Sequence, residues 1–131
     1  MSTLPPTARV LVVDDDPTNR KLASAVLSWS GYEVYDAATG TLALTALQSL
    51  KPDLLVIDIQ MPEMDGLSVI RTLKKRAAGV AGTVPRVIVT TALAEPQHRE
   101  QAIEAGADEV LLVPFPLKRL VELASTLLER N

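Results

Sequence analysis

The feature that most constrains the fold is the segment 10–16, in which four apolar residues are followed directly by three aspartates. The apolar residues are mostly β-branched, and an uninterrupted run of this kind predicts a strand buried on both faces. Carboxylates at the end of a buried strand are costly to desolvate unless a cation or a ligand compensates them. In open α/β sheets, ligands bind at the carboxyl ends of the strands. We therefore expect a functional site where this strand ends.

Strand and helix signals alternate along the rest of the chain. Five segments are predicted as strands: residues 10–13, 32–37, 54–57, 87–89 and 110–113. Apolar residues at helical spacing fill the segments between and after them. Right-handed crossovers force such a chain into a parallel sheet with helices on both faces. We predict an α/β fold, a doubly wound five-stranded parallel sheet flanked by five helices, with a flexible tail over residues 1–8 and one domain over 9–131.

Polar residues mark the predicted helix starts. Asp16 and Asp65 each precede a helical pattern and are predicted as N-caps, and Thr39 and Gly40 are predicted to open the second helix. The fourth helix, residues 95–105, carries few apolar residues and is expected to be loosely held. Residues 77–84 contain two glycines and are predicted to link two elements rather than two domains.

Composition excludes several functions. The chain has 131 residues and a net charge of −3, which argues against direct binding of nucleic acid. It has no cysteine, which excludes disulfides and thiol chemistry, and no apolar stretch long enough for a membrane span. Composition does not indicate the compartment; the expected location is cytoplasmic. The basic run 74–76 is predicted to end a helix. His98 is predicted to face solvent without a metal or catalytic role, and Trp29 is predicted to pack near the inner stripe of the first helix.

Polar groups end three of the predicted strands. Asp14 and Asp15 follow the first, Asp58 follows the third, and Thr91 follows the fourth. The first and third strands of a doubly wound sheet are neighbours, so these acids are expected to converge. Clustered carboxylates repel one another, and a hard divalent cation such as Mg²⁺ relieves the repulsion with oxygen ligands. The alternative is that each aspartate is a solvated cap or loop residue.

Motifs along the chain resemble the receiver domain of bacterial two-component response regulators. The resemblance covers residues 9 to about 130 and depends on the order and spacing of short motifs: 11–15, 54–58, Met61-Pro62, 64–66, Thr91-Ala92, 106–108 and Pro114-Phe115. The resemblance implies a flavodoxin-like sheet with the strand order 2-1-3-4-5, which is the order known for receivers. The residues alone leave the order of the strands open.

The resemblance also implies residue roles. Asp58 matches the carboxylate that accepts a phosphoryl group from a histidine kinase or a phosphotransfer protein. Asp15, Asp58 and the backbone carbonyl of Gln60 match the direct Mg²⁺ ligands, and Asp14 matches the acid that holds the metal through water. Thr91 matches the switch hydroxyl that bonds a phosphoryl oxygen. Phosphoryl transfer needs in-line positioning and charge neutralisation, which a metal beside the accepting oxygen supplies.

Two positions depart from the pattern, and both are placed in the last predicted strand. Val113 stands where the family has a lysine before the proline that matches Pro114, and Val110 stands where the family has an aromatic residue. Lys118 lies too far along the chain to replace the lysine. A hydrogen bond to a charged group contributes about 1.5–3 kcal/mol, similar to a typical allosteric coupling energy. We therefore expect Asp58 to accept phosphate while the signal reaches the last strand weakly or by another route. The alternative is that both substitutions are neutral in a working receiver.

Other functions stay open at this stage. The chain could be a pseudo-receiver scaffold that works without phosphorylation, or a small phosphatase, although glutamine at position 60 lacks the acid such an enzyme needs. Val110, Leu112 and Leu123 are expected either to be buried or to form a face for a downstream protein or a homodimer, together with the fourth and last helices. No membrane partner is expected.

Overall fold

Five strands and five helices alternate within the part of the chain that the structure describes. The computed structural model describes residues 7–62, 64–77 and 84–129. The elements are β1 (Arg9–Val13), α1 (Pro17–Trp29), β2 (Glu33–Ala37), α2 (Gly40–Leu50), β3 (Leu54–Asp58), α3 (Gly66–Ala77), β4 (Arg86–Thr91), α4 (Pro96–Ala105), β5 (Glu109–Leu112) and α5 (Leu117–Glu129).

The strands form one parallel sheet in the order β2-β1-β3-β4-β5. β1 pairs with both β2 and β3, and its last residue, Val13, lies opposite Ala37 and Ile57. The predicted fold class and strand order are therefore confirmed. This order places the carboxyl ends of β1 and β3 side by side at one edge of the sheet.

Apolar side chains form a core on each face of the sheet. On one face, residues of α2, α3 and α4, such as Leu47, Ile70 and Ala102, pack with alternate strand residues. On the other face, residues of α1 and α5, such as Leu27 and Leu120, do the same. All apolar residues of β1 and β3 are buried, as the uninterrupted apolar runs predict.

The predicted helix caps are confirmed. The Asp16 carboxylate accepts hydrogen bonds from Thr18 N and Asn19 N, and Pro17 opens α1. The Thr39 hydroxyl accepts from Leu42 N, and the Asp65 carboxylate accepts from Ser68 N. The basic run 74–76 lies in the last turn of α3, where cations complement the helix dipole. The thinly apolar α4 contributes only Ala102 and Ala105 as buried residues.

Several side chains lie elsewhere than predicted. Trp29 is 86% exposed, because a residue two positions after the buried Leu27 lies on the far side of a helix. Leu123, for which burial was one of the two predicted alternatives, is 6% exposed within the α1/α5 core. His98 is only partly exposed, with its side chain 3.6 Å from the Glu95 carboxylate. β5 ends at Leu112, so Val113 lies in the loop after the strand and not within it.

Two predictions fall largely on segments that lie outside the described residues. These are the N-terminal tail, of which residues 1–6 are not described, and the linker, of which residues 78–83 are not described. Among the described helices, none combines the length and apolar character that crossing a bilayer requires.

Candidate functional site

Three carboxylates meet where β1 and β3 end. One carboxylate oxygen from each of Asp14, Asp15 and Asp58 lies within 4.8 Å of the other two, a spacing that suits a shared metal ion. Asp14 and Asp15 follow β1 directly and Asp58 ends β3, so the parallel pairing of these strands brings the acids together. The predicted convergence is confirmed.

Local hydrogen bonds fix the carboxylates of Asp14 and Asp58. Asp14 accepts from Asp16 N at 2.9 Å, and Asp58 accepts from Gln60 N at 2.8 Å. Asp14 and Asp58 are partly buried, whereas Asp15 is exposed. Asp14 and Asp58 are thus each held by a hydrogen bond within their own turn.

Burial and repulsion from neighbouring carboxylates raise the pKa values of Asp14 and Asp58. Burial, followed by the repulsion of Asp14 and Asp15, raises the pKa of Asp58 to about 6, against the lowering effect of the Gln60 hydrogen bond. Burial is also the main cause that raises the pKa of Asp14. The carboxylates are therefore held in an arrangement that a cation would stabilise.

The raised pKa of Asp58 predicts that Asp58→Asn stabilises the metal-free protein at neutral pH. The folded-state pKa lies above the ordinary value of 3.8, so the folded form binds the proton more tightly. The protonated Asp58 side chain raises the free energy of unfolding below pH 4, and this contribution is lost as the pH rises through about 6. Because water screens the partly exposed carboxylate, the expected gain for the variant is only about 1 kcal/mol at pH 7.5.

Urea unfolding of both proteins in a chelator at pH 4 and pH 7.5 measures this gain. The difference between variant and wild type should shrink toward pH 4, where Asp58 is protonated. An Asp58→Asn variant that is less stable than the wild type at pH 7.5 would contradict the raised pKa.

Gly66 lets the start of α3 approach the loop that follows Asp58. A Cβ atom at this position would lie 2.6 Å from the Asp58 carbonyl oxygen and 2.8 Å from the Ile59 Cα. Both contacts are with backbone and are too short for any side chain. Glycine therefore sets the distance between α3 and the end of β3.

Two further contacts join the ends of β3, β4 and β5. Thr91 is 1% exposed, its hydroxyl accepts from Leu93 N at 3.0 Å, and its carbonyl accepts from Val113 N at 2.9 Å. The Gln60 side-chain carbonyl accepts from Ala92 N at 3.2 Å. No pattern in the sequence indicates this Gln60 contact, which connects the loop after Asp58 to the loop after Thr91.

Arg20 is a second residue that sequence reasoning missed. Its guanidinium donates to the Asp14 carbonyl oxygen at 2.8 Å and lies 3.3 Å from the Asp36 carboxylate at the end of β2. The sequence offered one signal for this contact. Arg20 lies one helical turn after the Asp16 cap, and the first turn of α1 faces the loop that carries the acids. Arg20 therefore ties the loop that carries the acids to the neighbouring strand.

The two departures from the family pattern occupy different surroundings. Val113 is partly buried and, with Asp14, lines a cavity on the α1/α5 side of the sheet. Val110 is partly buried and packs against the core of the opposite face. Lys118 is exposed on α5.

Comparison with known proteins identifies the class to which this fold and site belong. The family model of the response regulator receiver domain matches residues 10–125. The chain therefore belongs to the response regulator receiver domain family of two-component systems.

Particular relatives refine this result. The chain is 40% identical over 123 residues to the response regulator MprA of Mycobacterium tuberculosis, covering 94% of this chain and 51% of MprA. It is 35% identical to the DNA-binding response regulator MtrA of Mycolicibacterium smegmatis, covering 94% of this chain and 51% of MtrA. The chain thus spans about half the length of the curated relatives it matches. The signal receiver domain of a response regulator from Bermanella marisrubri superposes with a TM-score of 0.83 at 32% identity, covering 94% and 99% of the two chains.

Proposed function

We propose that this receiver domain accepts a phosphoryl group on Asp58 from a phosphohistidine of a histidine kinase or a phosphotransfer protein. The observation that carries the proposal is the convergence of Asp14, Asp15 and Asp58 within 4.8 Å at the carboxyl ends of two neighbouring strands. Of the three, Asp58 is the one that ends the middle strand of the sheet, and its position matches the family's acceptor.

The reaction moves one phosphoryl group between two nucleophiles. An Asp58 carboxylate oxygen attacks the phosphorus, the P–O bond forms, and the P–N bond to the histidine breaks. The imidazole leaves with the electron pair and takes up a proton from solvent. The domain's part is to hold the accepting oxygen in line with the leaving nitrogen.

The residues present fit a magnesium ion. Carboxylate oxygens and a backbone carbonyl are the ligands that this hard cation prefers. Asp15, Asp58 and the Gln60 carbonyl would hold the ion directly, and Asp14 would hold it through water. When bound, the ion neutralises the charge that develops on the transferred phosphoryl group.

Incubation with a small phosphodonor, followed by intact-mass measurement, tests the proposed function. We expect the protein to gain the mass of one phosphoryl group in Mg²⁺ and none in a chelator. No gain in either condition would favour the second candidate, a scaffold that works unphosphorylated, for which Val113 and Val110 are the supporting observations.

The route from Asp58 to the last strand is proposed to run through Thr91. Its hydroxyl would turn to bond the phosphoryl group, giving up the hydrogen bond from Leu93 N. Val113 offers no ammonium group to bond the phosphoryl group from the β5 side, so the backbone contact between Val113 N and the Thr91 carbonyl is the connection that remains. We therefore propose that coupling to β5 is weak.

Val113→Lys is expected to strengthen this coupling. A lysine at this position would add a cation that bonds the phosphoryl group, which contributes about 1.5–3 kcal/mol. Amide chemical shifts in α4 and β5, recorded before and after addition of a phosphoryl mimic, should change more in the variant than in the wild type. Val113→Met, of similar length without charge, is the control. A wild type that already shows changes as large as the lysine variant would contradict weak coupling.

The output surface is proposed to be the side of α4, β5 and α5, where a downstream protein or a second copy would bind. Leu112 and Ile103, which are 48% and 43% exposed, support this proposal. That the domain itself makes no direct contact with nucleic acid stays a prediction from its net charge, while a relative is named as DNA-binding.

A further inference from the structure

A cavity of about 530 Å³ opens between α1, α5 and the carboxyl ends of β1 and β4, beside the acidic cluster. Its volume lies in the range of small-molecule sites. Most of its wall is apolar and includes Leu22, Ala23, Val113, Phe115 and Leu117. Asp14, Asn19 and Thr90 supply side-chain polar groups.

Thr90 is an unpartnered polar side chain in this wall. It is 7% exposed, and its hydroxyl forms no hydrogen bond with any described residue. Thr90 alternates with Val89 along β4, so it shares the α1/α5 face with Ile88. In the described part of the chain, the fully enclosed side-chain atom without a partner belongs to Ser24 and not to Thr90, so the Thr90 hydroxyl reaches the cavity, where a ligand can hydrogen-bond it.

Asp14 gives the cavity a negative end. In the described part of the chain, no lysine or arginine forms an ion pair with its carboxylate. Arg20, whose charge acts on Asp14, is engaged with the Asp14 main-chain carbonyl and with Asp36. The cavity therefore combines a carboxylate and a free hydroxyl with an apolar wall.

We propose that this cavity binds a linear primary alkylammonium ion. An ammonium group has three N–H donors and no acceptor, so it can donate to the Asp14 carboxylate and to the Thr90 hydroxyl. The alkyl chain lies along Val113, Phe115 and Leu117, where it loses contact with water. Anions are disfavoured by the carboxylate, and neutral alcohols lack the charge that the acidic cluster attracts. The site does not depend on phosphorylation of Asp58.

Titration of n-butylammonium into methyl-labelled protein in Mg²⁺, without a phosphodonor, tests the proposal. We expect saturable chemical-shift changes at the methyl groups of Ala23, Val113 and Leu117, with a Kd on the order of 1 mM, as befits so small a ligand. n-Butanol keeps the chain and removes the charge, and tetramethylammonium keeps the charge and removes the N–H donors. Both should bind at least about tenfold more weakly.

Two cavity variants and one control make the result specific. Thr90→Val keeps the β-branched shape and removes the hydroxyl, and should weaken binding about fivefold. Val113→Phe should abolish binding by filling the cavity. Thr45→Val, an exposed threonine on α2 on the opposite side of the sheet, should leave the affinity unchanged. The proposal is overturned if n-butanol binds as well as the cation, if Thr90→Val binds with wild-type affinity, or if no saturable shifts occur at the cavity methyl groups. Because no phosphoryl group is supplied, none of these outcomes bears on whether Asp58 accepts one.

Discussion

Asp58→Asn is expected to abolish phosphoryl uptake from a small phosphodonor in Mg²⁺. The amide that replaces the carboxylate is a poor nucleophile, and of the three clustered acids only Asp58 is itself the last residue of a strand. Intact-mass measurement should show the mass of one phosphoryl group on the wild type and none on the variant. Peptide mapping of the wild type should place the modification at residue 58.

Asp16→Asn is the matched control for this experiment. It changes a neighbouring aspartate by the same atoms, and asparagine caps a helix about as well as aspartate. Asp16 lies outside the three-acid cluster, so this variant should be phosphorylated like the wild type. Phosphorylation of the Asp58→Asn protein to the wild-type extent would refute Asp58 as the acceptor.

Asp15→Asn is expected to remove most of the stabilisation by Mg²⁺. A ligand that binds only the folded state at 100 times its Kd raises the free energy of unfolding by about 2.7 kcal/mol. The variant replaces a charged ligand with a neutral amide oxygen, and we expect its Mg²⁺ affinity to fall by about 10–100-fold or more. Urea unfolding at increasing Mg²⁺ concentration measures both quantities.

The exposed position of Asp15 makes this variant informative. The side chain is not part of the core, so the unfolding free energy in a chelator should fall little or even rise as repulsion within the cluster is relieved. Asp16→Asn again serves as the control and should keep the full Mg²⁺ response. An Asp15→Asn protein that Mg²⁺ stabilises as strongly as the wild type would exclude Asp15 as a ligand.

The fold and the meeting of the three acids were predictable because both follow from the backbone. Uninterrupted apolar runs such as 54–57 can be fully buried only in a sheet that is covered on both faces. Strict alternation with helices makes that sheet parallel, and a parallel sheet places Asp14 and Asp58 at the same edge. The helix caps were predictable for the same reason, since Asp16 and Thr39 bond to their own local backbone.

The environments of Gln60, Trp29 and Thr90 were not predictable, because they depend on side-chain directions that only tertiary packing determines. Gln60 is exposed, and its contact with Ala92 N depends on how two loops meet. Trp29 follows an apolar stripe closely enough to be mistaken for part of it, yet lies on the outer side of α1. The unpartnered hydroxyl of Thr90 cannot be read from a sequence in which it stands beside an equivalent threonine.

Every role proposed for these acids requires that the carboxyl ends of β1 and β3 hold a divalent cation against the side chain that accepts the phosphoryl group. Anomalous diffraction from crystals soaked with Mn²⁺ tests this requirement directly, because Mn²⁺ scatters anomalously and takes the same oxygen ligands. We predict an anomalous peak within ligand distance of carboxylate oxygens of both Asp15 and Asp58. Well-ordered acids with no peak between them, or a peak that Asp58 does not contact, would refute the proposed metal site.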